Sequence, residues 1–212
     1  MSHAKPATTR PGGLRRAALA VLVLLAAFAR AESGIPNDAR WGATLALGEG
    51  RAGQSHDTYR VSVQRHWARR VWEREHFYFS GFWDVGVTLW DASNITPGNA
   101  DRGAERLWVL GASPVLRWQF QRLFAAPIEP FLELGVGLSL LSDRELRSGN
   151  NRALRLGTRW QFEDRAAIGI RFGRDGAWEL AYRIMHHSNL DAADENAGVD
   201  SHLLSLSRRF AP

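Results

Sequence analysis

Residues 178–200 read WELAYRIMHHSNLDAADENAGVD. Side chains repeat every two residues along a strand, so Trp178, Leu180, Tyr182, Ile184, His186 and Ser188 share one face of it. Glu179, Ala181, Arg183, Met185 and His187 share the other. A face that opens on Trp, Leu, Tyr and Ile is not made for water. A core face would not close on His-x-Ser. The stretch therefore asks which surface it lies on, and its neighbours supply the answer.

Upstream, the same alternation recurs. Leu154, Leu156, Trp160, Phe162, Ala166, Ile168, Ile170 and Phe172 hold even positions, against Arg155, Gly157, Arg159, Gln161, Glu163, Arg165, Gly169 and Arg171. Leu132, Leu134, Val136, Leu138 and Leu140 alternate with Glu133, Gly135, Gly137 and Ser139. Phe77, Phe79, Trp83, Val85, Val87 and Leu89 face Ser80, Asp84, Gly86 and Thr88. Tyr59, Val61 and Val63 repeat the pattern, as do Trp41 to Leu47, Trp108 to Phe120 and Leu204 to Phe210. Period two explains these segments and helical spacing does not, so the chain reads as all-β. Periodicity alone does not separate a soluble sandwich, apolar inside, from a transmembrane barrel, apolar outside.

The N-terminus favours the barrel. Arg10, Arg15 and Arg16 precede an apolar run from Ala17 to Ala29, and Ala29-Arg30-Ala31 has the A-x-A form of a cleavage site. Residues 1–31 thus read as a signal peptide, the run being short of the roughly 20 residues that span a bilayer as a helix. The leader holds five of the 27 Lys and Arg residues and none of the 22 Asp and Glu. Without it the charges balance, which removes any case for nucleic-acid binding. The chain has no cysteine, which excludes disulfides, thiolate metal sites and a Cys nucleophile, while nine Trp and ten Phe suit a membrane-interface girdle.

Residues 32–212 are expected to form a single domain, an eight-stranded antiparallel outer-membrane β-barrel, with Leu154–Phe172 as one long strand. Reading Glu163-Asp164-Arg165 as a turn would make nine, but parity holds through it and bacterial single-chain barrels use even numbers. The longer connections, 91–104, 141–152 and 189–199, then fall at one end and the Arg174-Asp175-Gly176 turn at the other. The inward charges Arg60, Glu133, Arg155, Arg159, Arg171, Glu179 and Arg183 are expected to pair inside the barrel.

On such a wall, His186 and Ser188 face outward at the outer end of a strand, and Asp200 shares the parity of Leu204, Leu206 and Phe210. An antiparallel neighbour would bring Asp200 to about 5 Å from His186. Ser, His and a carboxylate converging in this way suit acyl transfer: the imidazole takes the hydroxyl proton and the acid orients it. His187 points the other way, and this also argues against a His186/His187 metal site. Plainer readings exist for each residue. His186 and Ser188 could be an interfacial polar pair, Asp200 a loop acid, Asn189 a turn residue, and Asn196-Ala197-Gly198 the turn into the last strand.

The YRIMHHSN stretch, the following Asn196-Ala197-Gly198 and the aromatic-ended last strand resemble the lipid A 3-O-deacylases of the PagL type. EPFLE at 129–133 and FEDRAAIGIRFG at 162–173 are similar to that family as well. The resemblance covers the C-terminal half in motif and the N-terminal half in pattern. It implies an outer-membrane barrel that hydrolyses the ester-linked 3-hydroxyacyl chain at position 3 of lipid A, within lipopolysaccharide, without a cofactor. A homodimer is compatible with it. By match, Ser188 would be the nucleophile, His186 the base and Asp200 the acid, with Asn189 and Asn196 supporting the oxyanion. Two positions depart from the family: the acid there is usually Glu, and the small Ala-Gly after Ser-Asn is here Leu190-Asp191. The competing reading is a non-enzymatic small outer-membrane barrel of structural or adhesin type.

Overall fold

Alternating residues commit the chain to strands, and the computed structural model describes residues 40–51, 54–96, 102–121, 128–148, 153–173 and 176–210. Residues 1–31, the expected signal peptide, lie outside these, as do Arg174 and Asp175 of the expected short turn. Chain order gives β1 (Trp41–Gly50), β2 (Asp57–His66), β3 (Trp72–Glu73), β4 (Phe77–Asp91), β5 (Arg106–Phe120) and β6 (Glu129–Leu141). Then come β7 (Glu145–Leu146), β8 (Leu154–Arg155), β9 (Trp160–Phe172), β10 (Trp178–Ser188) and β11 (Val199–Phe210).

Eight of these strands span. The ladder runs β2-β1-β11-β10-β9-β6-β5-β4, and pairing of β2 with β4 closes it, every contact antiparallel. Closure leaves no edge in the hydrocarbon, where an unpaired backbone group has no partner. The short β3 lies on the start of β4, and β7 and β8 form a separate two-stranded ribbon in the connection between β6 and β9. The β1–β2, β4–β5, β6–β9 and β10–β11 connections lie at one end, here called the loop end.

The wall is apolar outward. Val61, Leu116, Leu134, Ile168 and Leu204 are all more than half exposed. Trp72, Phe77, Phe79, Trp118 and Phe120 stack in a chain along the rim away from the loop end, with ring centroids 5.2–5.7 Å apart between successive partners. Trp108 and Trp160 stand exposed toward the loop end. Aromatic belts flanking an apolar band mark a membrane-spanning barrel.

Inside, the barrel is filled. Arg60 contacts Asp84 at 2.7 Å and Glu163 at 3.4 Å, and Arg165 reaches Asp84 at 2.9 Å. Arg117 bridges Glu133 and Glu179, both at 2.5 Å, and Arg183 meets Glu133 at 3.1 Å. Each of these four guanidinium groups thus has at least one carboxylate, which buried charges require. Arg60, Glu133, Glu179 and Arg183 sit as their parity predicts. Arg155 and Arg159 do not: both are exposed at the loop end, where Arg155 pairs with Glu195 at 2.6 Å and Glu145 at 3.6 Å.

The reason is a break in the expected 154–172 strand. It falls at Leu156–Arg159 rather than at Glu163–Arg165, which stays within β9. Gly157, at φ +71°, turns the chain in the left-handed region that glycine adopts without steric cost. Leu156 therefore swings inward, against the outward parity of its neighbours. It joins Trp90, Ala92, Leu107, Val109, Leu141, Leu146 and Val199 in an apolar cluster capping the ionic interior at the loop end.

Candidate active site

The β10–β11 register opposes His186 directly to Asp200. His186 Nδ1 lies 2.7 Å from Asp200 Oδ1. An Asp therefore suffices where a longer Glu would also reach, because direct cross-strand opposition already closes the gap. The acid is itself held by the β1–β2 connection, which the sequence reading had passed over. The Asp200 backbone N–H donates to Gln54 Oε1 at 2.9 Å, and Gln54 Nε2 donates to the Gly198 carbonyl at 3.0 Å. The Arg51 N–H donates to the Asp200 carbonyl at 3.1 Å, while its guanidinium lies 3.7 Å from Asp200 Oδ2. Gly198, at φ +57°, lies against the imidazole, and a Cβ there would come within 3.1 Å of His186 Cε1.

Ser188 closes β10, two residues beyond His186 on the same parity, but unlike its neighbours on that face it is buried. Among the described residues no hydrogen bond joins Ser188 Oγ to His186. His187 faces inward, its ring edge-on to Trp90 at 5.0 Å and its Nε2 3.4 Å from Glu163.

The loop after Ser188 is fixed from both sides. Asn189 Nδ2 donates to the carbonyls of Leu156 at 2.9 Å and Glu195 at 2.8 Å. Its backbone N–H donates to Asn196 Oδ1 at 3.0 Å, which orients that amide so that Nδ2 meets Asp191 Oδ1 at 2.9 Å. Leu190 and Asp191 both have positive φ, +52° and +60°. Such backbone costs of the order of 1 kcal/mol per residue for side chains other than glycine. Glycine, which has no Cβ, would relieve that cost at either position. The β8 ribbon braces the same loop, the Ala197 N–H donating to the Arg155 carbonyl at 2.9 Å.

Beside His186 the outer wall is concave. A groove of about 730 Å³ is lined by Leu116, Leu134, Val136, Ala166 and Ile184, with His186 at one margin. Asp164, outward on β9, also lines it and stands directly opposite His186 on the side away from Asp200. Sequence reasoning, which takes Asp200 as the acid, does not single out Asp164. Its parity with Ile168 was the available signal. Among the described residues, no group of three or more His, Cys, Asp or Glu side chains is arranged to hold a metal ion.

Fold and site together define a class: an eight-stranded outer-membrane barrel that carries a His–Asp pair beside an apolar groove on its lipid-facing wall. Comparison with known proteins makes this specific. The lipid A 3-O-deacylase (PagL) family model matches residues 57–209, and the chain belongs to that family. It is 29% identical over 162 residues to lipid A deacylase PagL of Pseudomonas aeruginosa strain PAO1, covering 76% of this chain and 83% of that one. It is also similar to the crystal structure of the outer-membrane enzyme PagL, with a TM-score of 0.66 and 27% identity over 81% of this chain and 99% of the other.

Proposed function

We propose that this protein hydrolyses the ester-linked 3-hydroxyacyl chain at position 3 of lipid A by a Ser-His-acid mechanism, from the lipid side of the barrel. The observation that carries this reading is the 2.7 Å contact between His186 Nδ1 and Asp200 Oδ1 on a lipid-facing wall, at the margin of an apolar groove. A lipid ester would arrive there at headgroup depth with its chain along the groove.

With Nδ1–H engaged by Asp200, Nε2 is the nitrogen that carries the lone pair, and it takes the Ser188 proton as Oγ attacks the ester carbonyl. The tetrahedral intermediate collapses, His186 returns the proton to the departing sugar oxygen, and the acyl chain remains on Ser188. Water, deprotonated by the same Nε2, then releases the fatty acid and restores the serine. Asn196 suits the developing oxyanion. Its amide has two N–H donors and only one is used by Asp191. A single such donor is worth about 3 kcal/mol of barrier. Asn189, whose amide is spent on two carbonyls, supports the loop instead.

Mass spectrometry of lipid A from cells expressing the wild type or Ser188→Ala tests this. Loss of one 3-hydroxyacyl mass is expected with the wild type alone. Identical lipid A from both would overturn it.

A further inference from the structure

Asp164 is the group on the outer wall that the mechanism leaves unused. It sits in β9 between β6 and β10, opposed to Val136 on one side and His186 on the other. With Asp200 beyond, three adjacent strands present Asp164, His186 and Asp200 in one row. The two acids are treated differently. Asp200 is tied to His186 and Arg51, and its backbone to Gln54. Asp164 is half-buried and, among the described residues, has neither an ion-pair nor a hydrogen-bond partner. Its sequence neighbours Glu163 and Arg165 point inward and belong to the ionic interior, so Asp164 adds nothing to that network.

A carboxylate on a hydrocarbon-facing wall is costly and is retained where something compensates it. It lines the groove with Leu116, Leu134, Val136, Ala166 and Ile184, while the nearby His186 is engaged by Asp200 and the Arg165 guanidinium by Asp84. A donor carried on an otherwise apolar ligand chain would compensate it.

Resting on the deacylase reading, we propose that Asp164 is a specificity-determining residue that accepts a hydrogen bond from the 3-hydroxyl of the acyl chain being removed. The spacing suits this. Opposed side chains on adjacent strands stand about 5 Å apart. From the carbonyl carbon beside His186, two carbon–carbon bonds of roughly 1.5 Å each lead to C3. A hydroxyl there falls at the carboxylate as the chain enters the groove. An O–H donor on a carboxylate makes a short, charge-assisted bond, and an acyl chain without the hydroxyl would leave the acid buried and unpaired. The groove then selects 3-hydroxyacyl esters over plain acyl esters of equal length.

The test compares two lipid A analogues, one with a 3-hydroxytetradecanoyl and one with a tetradecanoyl ester at position 3. Purified barrel in detergent micelles is used, with folding checked by the heat-dependent shift on gels. Wild type should favour the hydroxylated ester by roughly 10- to 100-fold in kcat/KM. Asp164→Ala should bring that ratio close to one, and Asp164→Asn, which keeps an acceptor oxygen without the charge, should fall between Asp164→Ala and wild type. Wild type that cleaves both equally overturns the proposal without any variant. A ratio unchanged in the variants, with both rates falling together and the pH profile shifted, would assign Asp164 to the imidazolium and also overturn it. If wild type cleaves neither ester, the deacylase reading itself fails, a separate outcome.

Discussion

Replacing Asp200 with Asn separates charge from shape at the candidate triad. The amide keeps an oxygen that can accept from His186 Nδ1, where Oδ1 does at 2.7 Å. Its NH2 can turn there instead and fix the other tautomer, so the lost charge sets a lower bound on the effect. What is lost is a negative charge beside the imidazolium that forms in the transition state. Unit charges about 4 Å apart at an effective dielectric near 20 attract by roughly 4 kcal/mol. Arg51 at 3.7 Å already draws on the same carboxylate, and the pair is partly open to solvent, so about half of that survives. A barrier higher by about 2 kcal/mol slows turnover roughly 30-fold. Asp200→Ala also frees the tautomer and strands the Nδ1 donor, adding about 1–3 kcal/mol to that charge effect, or roughly a further 5- to 160-fold. Asp200→Glu should stay near wild type, since it keeps the charge at the position directly opposed to His186. Initial rates on purified lipid A, followed by mass spectrometry, read all three. Asn and Ala variants that both turn over within twofold of wild type would refute the assignment of Asp200 to His186.

Two further outcomes follow from the loop end. His56, in the β1–β2 connection, packs on Trp90 at a centroid distance of 5.8 Å and lies 3.4 Å from Ser201 Oγ. Burial is the main cause that pulls its pKa from 6.5 down to about 4, against a raising hydrogen bond with the Gln54 backbone. The folded form thus binds fewer protons, so this stabilisation is full above pH 6.5 and is lost as pH falls from there toward 4. It amounts to about 3 kcal/mol. Urea unfolding at pH 7.5 and pH 5 should show a larger pH effect in wild type than in His56→Gln, and equal effects would refute it. Gly157→Ala would set a Cβ 2.1 Å from the Glu195 carbonyl oxygen at a φ of +71°. It should displace the loop carrying Asn196 and cut activity at least tenfold while the barrel still folds; unchanged kcat would count against the bracing role of that turn.

Period two made the barrel legible because each spanning strand has one face in lipid and one in a polar interior, and this contrast survives in composition. It failed where the contrast disappears. At the loop end the interior becomes apolar, so Leu156 carries the same hydrophobic signature whether it points in or out. Its run with Trp160 then concealed the turn at Gly157. His186 and Asp200 were legible together because parity gives the face and a short connection gives the height. Gln54 and Arg51 were not, since they lie in a connection with no periodicity, and their partner is about 150 residues away in sequence. Asp164 was legible in face but not in neighbourhood: that β9 lies beside β10 is evident, whereas the register opposing it to His186 is a product of the closed barrel.

The placement of the reactive groups follows from what the interior can tolerate. An eight-stranded barrel has an interior that side chains fill or that holds at most one small ligand. Here, among the described residues, that space holds a paired arginine–carboxylate network under an apolar cap. Function is therefore confined to the rim or the outer wall. On the outer wall a polar group is tolerable near the headgroups, where β10 ends. That position alone would leave the imidazole on a fraying strand end. The structure counters this with three braces from different connections: Gln54 from β1–β2, the Leu156 and Arg155 carbonyls from β6–β9, and Asn196 from the loop itself. The positive φ angles at Leu190 and Asp191 are sustained by the same braces. The rigidity needed for acyl transfer at a membrane surface thus comes from loops that converge on one strand end, over a packed barrel that does not yield beneath them.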